Sequence, residues 1–149
     1  MTQPNLAYLT CWVRQMELAQ NAETQVADLC RKHIQKAQEL AQTTAQRVQA
    51  LQERYRDAVR SLSLSDDAQE RISAVGSQHQ DEYAQILRDH NRALGQQHGE
   101  WLKAVFEAQM DAQKNAAACY FGFLEQLTAE CPAPPAAAET APGKKSTRK

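Results

Sequence analysis

The chain has 149 residues, normally the size of one domain, with a formal net charge of −1 and 23% charged residues, so its overall charge gives no argument for nucleic-acid binding. Its mean hydropathy is −0.66, no run approaches the ~18 apolar residues of a membrane span, and residues 1–5 lack the basic region that begins a signal peptide. We therefore expect a soluble, cytoplasmic protein with no membrane span.

The first predicted element is a helix over residues 5–61, since no Pro or Gly occurs between Asn5 and Gly76. From Val26 onward, apolar residues recur every eleven positions, which is three helical turns, so they form one nearly straight stripe. The rows of this stripe are Val26, Ala37, Val48 and Val59; Leu29, Leu40, Leu51 and Leu62; and His33, Thr44 and Tyr55. The stripe indicates that this helix packs along a second long surface.

A polar turn is predicted at residues 62–66, where serines alternate with leucines ahead of Asp66 and Asp67. Ser65 or Asp66 suits the N-cap position of a second helix, and Asp66 with Gln69 has the spacing of a capping box. Because a short connection joins two long helices, we expect antiparallel neighbours whose paired residue numbers add up to about 128.

The second predicted helix covers residues 67–130 and has the same eleven-residue period. Its rows are Ile72, Tyr83, Leu94, Val105, Ala116 and Leu127; Val75, Ile86, Gln97, Ala108 and Cys119; and His79, His90, Trp101, Ala112 and Phe123. Gly95 and Gly99 each cost about 1 kcal/mol in a helix interior, which indicates a soft spot, a close helix approach or a hinge. The predicted fold class is all-α, with residues 1–131 forming two long antiparallel amphipathic helices in a coiled-coil hairpin.

Both arms bring more apolar residues to the open end of this hairpin than one helix partner can cover. The candidate contact residues are Leu6, Leu9, Trp12, Val13, Met16, Trp101, Val105, Phe106, Tyr120, Phe121, Phe123 and Leu124. We expect this apolar surface to serve self-association or adsorption to a hydrophobic surface.

No pattern of chemistry-bearing residues indicates catalysis, so we expect no enzyme activity, no cofactor and no metal. No Glu is followed three residues later by His, and His79 and His90 lie about 16 Å apart along one helix. No C-x-x-C spacing joins the four cysteines, which are Cys11, Cys30, Cys119 and Cys131. We interpret them as small buried hydrophobes in a reducing compartment, the alternatives being a disulfide framework or a zinc site.

Residues 132–149 are rich in Pro and Ala and are predicted to form a disordered tail. Against one Glu, the tail carries four basic residues, Lys144, Lys145, Arg148 and Lys149. We interpret it as a solubilising segment, the alternative being weak, salt-sensitive contact with nucleic acid or an acidic partner.

A run of residues near the end of the second helix has a recognisable pattern. The step Phe106-Glu107-Ala108-Gln109 is followed by Gln113-Lys114-Asn115 and by the break Pro132-Ala133-Pro134. From residue 100 to 134 the chain resembles phasins, small helical proteins that coat polyhydroxyalkanoate storage granules in bacteria. The resemblance implies self-association, no cofactor, binding to the hydrophobic polyester surface and granule enzymes as further partners.

The sequence thus predicts a non-catalytic, cytoplasmic, granule-associated protein that coats polyhydroxyalkanoate granules and forms homo-oligomers. The alternative is a coiled-coil scaffold or adaptor that binds other helical proteins and not polymer. These two hypotheses differ in what covers the apolar surface, a polymer or another helix.

Overall fold

The computed structural model describes residues 4–62 and 66–130. This part of the chain consists of α1, Pro4–Leu62, and α2, Ala68–Glu130, which pack against each other from one end of the hairpin to the other. The predicted all-α hairpin of two long antiparallel helices is confirmed, with helix ends within one residue of those predicted. The predicted disordered tail and most of the predicted turn lie outside the described residues.

The second helix begins with an aspartate one residue later than predicted. The Asp67 carbonyl accepts the Arg71 N–H at 3.2 Å, so Asp67, and not Asp66, takes the N-cap position, while the other predicted candidate, Ser65, lies outside the described residues. Glu70 lies in the first turn, three residues after the cap, where a carboxylate meets the positive end of the helix dipole. The predicted capping box is therefore displaced by one residue along the chain.

The two helices meet along a line of side chains that we call the inner seam. On α1 the seam comprises Ala7, Cys11, Gln15, Leu18, Ala22, Val26, Leu29, His33, Ala37, Leu40, Thr44, Val48, Leu51, Tyr55 and Leu62. On α2 it comprises Val75, His79, Glu82, Ile86, His90, Ala93, Gln97, Trp101, Ala104, Ala108, Ala112, Cys119 and Phe123. Of the residues whose burial is described, only Leu51 and Ile86 are buried, at 3% and 6% exposed. Since every other seam side chain is half-buried, the hairpin has a very thin core.

The register of the helices differs slightly from the expected one. Cys11 faces Cys119, whose numbers add up to 130, and Thr44 faces His90, whose numbers add up to 134. The expected value of about 128 is therefore too low, by two at Cys11 and by six at Thr44. The correction leaves the start of α1 beside the last part of α2, as predicted.

One of the three rows predicted for α2 does not lie wholly in the seam. The rows that begin at Val75 and His79 both face α1, so the centre of the contact lies between them. The row that begins at Ile72 consequently falls at the margin, and two of its members, Tyr83 and Leu94, are exposed. Of the surfaces that could cover this row, α1 therefore does not cover these two side chains, because Glu82 and Ala93, one residue earlier, take the places that face α1.

Candidate interaction surface

The start of α1 carries an apolar stripe that points away from α2. Leu6, Leu9, Val13 and Met16 are separated by three, four and three residues, so they share one helix face. Leu9 and Val13 each lie two positions from the seam residue Cys11, so their side chains point roughly 200° around the helix from it. Leu6 is 70% exposed and Leu9 54% exposed. This outer stripe of α1 therefore cannot be buried by α2 while the hairpin is closed.

The last third of α2 carries a matching stripe. Leu102, Phe106 and Met110 are spaced by four residues, and Phe121 and Leu124 extend the same face further along the helix. Phe106 and Phe121 are 63% and 61% exposed, the largest values for aromatic rings in the described part of the chain. This outer stripe of α2 also points away from its partner helix, so both arms are apolar on their outer faces near the open end.

The two broad sides of the hairpin differ sharply in charge. A residue that follows a seam residue is turned by about 100°, and in antiparallel helices the following residues of both chains point to the same side. On α2 this side comprises Gly76, Gln80, Tyr83, Leu87, Asn91, Leu94, His98, Leu102, Val105, Gln109, Gln113, Tyr120 and Leu124. On α1 it comprises Tyr8, Trp12, Met16, Ala19, Glu23, Ala27, Cys30, Ile34, Gln38, Ala41, Ala45, Gln49, Gln52 and Arg56. Because only Glu23 and Arg56 among these positions are Asp, Glu, Lys or Arg, we call it the uncharged side.

The opposite, charged side holds the residues that precede seam residues. They include Arg14, Glu17, Asp28, Lys32, Lys36, Glu39, Arg47 and Arg54 on α1 and Asp81, Asp89, Arg92, Glu100, Lys103, Glu107 and Asp111 on α2. Two ion pairs cross between the helices on this side, Arg47 with Asp89 at 3.2 Å and Arg54 with Glu82 at 2.9 Å. The hydrogen bonds from Arg47 and Gln85 hold the pKa of the Asp89 carboxyl below its ordinary value. The closed hairpin is therefore amphipathic across its thickness.

The aromatic candidates divide between the surface and the seam. Trp12 and Tyr120, like the phenylalanines of the outer stripe, are exposed, at 52% and 48%. Trp101 instead stacks on His33 of the other helix, with ring centroids 5.0 Å apart and planes 15° apart. Phe123 meets Tyr8 edge-on across the open end, at 6.1 Å between centroids. Trp101 and Phe123 thus hold the helices together, and Trp12 and Tyr120 remain available to a partner.

Val105 is half-buried at the margin of the uncharged side.

Several apolar residues of the surface were missing from the predicted set. Leu102 and Met110 flank Phe106 at a spacing of four, a signal present in the sequence, and are 49% and 38% exposed. Exposed side chains further from the open end, Ile34 and Leu87, also lie on the uncharged side. Leu87 follows Tyr83 at a spacing of four, a signal present in the sequence, whereas Ile34 is isolated among polar and small residues of that side.

Two cysteines face each other across the seam near the open end. The Sγ atoms of Cys11 and Cys119 are 3.8 Å apart, and each thiol lies 3.9 Å from the other residue's carbonyl oxygen. Burial, followed by the hydrogen bond and the charge interaction with Cys119, raises the pKa of the Cys11 thiol. Cys30 is half-buried on the uncharged side, and Cys131 lies outside the described residues.

A groove of about 430 Å³ lies beside Trp101 and is lined by Lys32, Lys36, Glu39 and Glu100, but it is open to solvent. Within residues 4–62 and 66–130, no three His, Cys, Asp or Glu side chains come together as metal ligands. Nor does either described helix contain a stretch apolar enough to cross a membrane. What distinguishes the hairpin is its apolar surface.

Comparison of the chain with family models, with curated proteins and with solved structures finds no match.

Proposed function

We propose that this protein is a non-catalytic, phasin-like coat of intracellular polyhydroxyalkanoate granules, cytoplasmic and granule-associated, that also self-associates. The observation that carries the proposal is the apolar surface made by the uncharged side and the two outer stripes. Large exposed apolar patches on a soluble protein mark places of association. The resemblance of residues 100–134 to phasins supports a polyester surface as the partner.

In this proposal the closed hairpin lies flat on the polymer with its uncharged side down. The charged side then faces water, which keeps its ion pairs and other charges solvated. Polyester supplies apolar surface and carbonyl oxygens, and the uncharged side supplies apolar side chains together with the amide donors of Gln and Asn. No charged group except Glu23 and Arg56 has to leave water along most of this contact.

The expected affinity comes from the area that the polymer covers. Burial of apolar surface contributes about 25 cal/mol per Å², or about 1.5–3 kcal/mol for a fully covered large apolar side chain. With Trp12, Leu102, Phe106 and Tyr120 all exposed, a few such contacts near the open end suffice for stable adsorption. The charged sides of neighbouring hairpins face outward and oppose coalescence of coated granules.

Binding to polyhydroxybutyrate particles tests the proposal. The wild-type protein is expected to be depleted from the supernatant when the particles are sedimented. The double variant Phe106→Gln, Phe121→Gln removes two exposed rings from the outer stripe of α2 and should weaken binding about tenfold or more. Its matched control is Glu107→Gln, Asp111→Asn, which changes exposed residues of the charged side and should bind as well as wild type.

The outcome separates the coat from the alternative scaffold. No depletion of the wild-type protein rejects granule coating, and equal binding by the double variant rejects the proposed contact surface. If the protein ignores polymer but co-sediments with a helical partner through Phe106 and Phe121, the coiled-coil adaptor is supported instead. Granule enzymes are proposed as further partners, and their recruitment is measured on particles already coated with the protein.

A further inference from the structure

We propose that Cys11 and Cys119 form a reversible disulfide that locks the hairpin closed at its open end. The proposal does not depend on granule binding. It rests on two thiols that come from opposite ends of the sequence and meet across the seam, with their Sγ atoms 3.8 Å apart. Each thiol is directed at the other residue's carbonyl oxygen, so the two side chains point at each other in a nearly symmetric way.

The distance between the sulfurs is short enough for oxidation to close it. A disulfide bond needs about 2.05 Å between sulfurs, so the two atoms have to approach by less than 2 Å. Rotation of the two side chains about χ1 and a small approach of the helices would supply this movement. Ala7, one turn before Cys11, and Ala116, one turn before Cys119, are half-buried, and their small side chains offer little resistance to a closer approach of the helices.

The reaction requires an oxidant, for which a small-molecule disulfide such as glutathione disulfide is sufficient. One cysteine thiolate attacks a sulfur of the oxidant, which forms a mixed disulfide and releases one small thiol. The second cysteine then attacks the protein sulfur of that mixed disulfide, which forms the Cys11–Cys119 bond and releases the second small thiol. Two protein thiols are oxidised, one small-molecule disulfide is reduced, and the two protons end on the released thiols.

The environment of the pair slows its oxidation at neutral pH. The raised pKa of Cys11 keeps this thiol protonated, and the thiolate is the reactive species. Oxidation is therefore expected to speed up as the pH rises through the alkaline range. The lock would close under oxidising conditions and open again on reduction.

Once formed, the bond would join the start of α1 to the last part of α2. It would enclose residues 11 to 119, and a long covalent loop restricts the unfolded chain strongly. It would also lie beside the contact of Tyr8 with Phe123, where nothing else in the described residues ties the two arms covalently. The lock would thus prevent the arms from separating at the end that carries the outer stripes.

The test uses the full chain with Cys30→Ser and Cys131→Ser, so that only the proposed pair remains. Incubation with glutathione disulfide at pH 8 should remove two hydrogens, as read by intact mass, and leave a monomer on a non-reducing gel. The thermal midpoint should rise by about 5 °C or more and return to its starting value with dithiothreitol. The same oxidation of the wild-type chain should yield a proteolytic peptide pair that joins Cys11 to Cys119.

The control adds Cys11→Ser, which should retain one glutathione and show no such rise in midpoint. Circular dichroism before oxidation establishes that each variant is folded. A product that is cross-linked between chains, or a mixed disulfide that persists on both cysteines, would overturn the proposal. So would a wild-type peptide pair that joins Cys11 to Cys30 in place of Cys119.

Discussion

Individual polar residues make the inner seam weaker than its length suggests. The Thr44 hydroxyl and the His90 Nδ1 atom are hydrogen-bonded at 2.9 Å, so this polar layer is satisfied. Three buried polar atoms have no hydrogen-bond partner among the described residues, namely His79 Nδ1, Gln97 Oε1 and Trp101 Nε1. A buried polar atom without a partner costs about 1–3 kcal/mol. The seam therefore holds a closed hairpin with little free energy to spare.

Replacing the unpaired amide measures this cost directly. Gln97→Leu exchanges a polar side chain in the seam for an apolar one of similar size. In its eleven-residue row, Gln97 follows Val75 and Ile86 and precedes Ala108. We expect the free energy of unfolding to rise by about 1 kcal/mol or more, measured by urea denaturation. Gln96→Leu is the matched control, because Gln96 is exposed and its amide is already in water.

The two variants should therefore differ in their free energy of unfolding. An increase for Gln96→Leu equal to that for Gln97→Leu would point to helix propensity as the cause. A decrease for Gln97→Leu would show that its amide makes a favourable interaction in solution.

At the scale of one element, α2 has its weakest stretch between Gly95 and Gly99. A Cβ atom added at either position would meet no atom within 4 Å, so neither glycine is there to allow a close approach of α1. Both lie in a helix that continues without interruption to Glu130. The close-approach interpretation is therefore wrong at these two positions, and the soft spot and the hinge remain.

The double variant Gly95→Ala, Gly99→Ala separates these two interpretations. Each substitution fits the space available and should stabilise the helix by about 1 kcal/mol, seen as a higher thermal midpoint. If the glycines form only a soft spot, the variant should bind small and large polymer particles as wild type does. A selective loss of binding to the smallest, most curved particles would instead establish a hinge.

Much of each element could be predicted from periodicity alone. The run without Pro or Gly up to Gly76 and the eleven-residue rows give both helices, and Asp66 and Asp67 give the turn. The sidedness could not be predicted, because it depends on which residues face the partner helix. Tyr83 and Leu94 belong to a regular row, yet a rotation of α2 by a fraction of a turn moves them from the seam to the uncharged side.

The sequence predicted only part of the candidate surface, because which side chains are exposed depends on the partner helix. Leu6, Leu9 and Phe106 form conspicuous clusters with their neighbours, and they are exposed in the hairpin. The inward positions of Trp101 and Phe123 depend on their partners His33 and Tyr8, which lie far away in the sequence. A single-helix pattern carries no information about such pairs across two helices.

For the whole molecule, the uncharged side of the amphipathic hairpin is an apolar surface whose exposure to water is unfavourable. The charged side and its ion pairs are well solvated, and the thin seam cannot take in the side chains of the uncharged side. In the absence of polymer, the uncharged sides of two copies offer each other the nearest apolar cover. Under the proposed function, self-association and polymer binding use the same surface, so the two should compete.

Sedimentation over a range of protein concentrations tests this competition. We expect the wild-type chain to form oligomers that dissociate on dilution and a thermal midpoint that rises with concentration. The variant Trp12→Gln, Leu102→Gln, Tyr120→Gln makes three exposed residues of the uncharged side polar and should weaken self-association and particle binding together. The control Arg14→Gln, Glu107→Gln changes residues of the charged side and should leave both properties unchanged.

A joint loss of self-association and particle binding is the informative result. The loss of only one of them would also follow from damage to a contact that serves that property alone. A variant that remains oligomeric but no longer binds particles would mean that copies meet through a different face, such as the charged side. A wild-type chain that stays monomeric, with a midpoint independent of concentration, would mean that the apolar surface is too small or too dispersed to associate with a second copy. Adsorption to polymer or binding of a different helical protein would then be the uses left for it, and a continuous solid surface can cover residues as far apart as Trp12 and Leu87 at once.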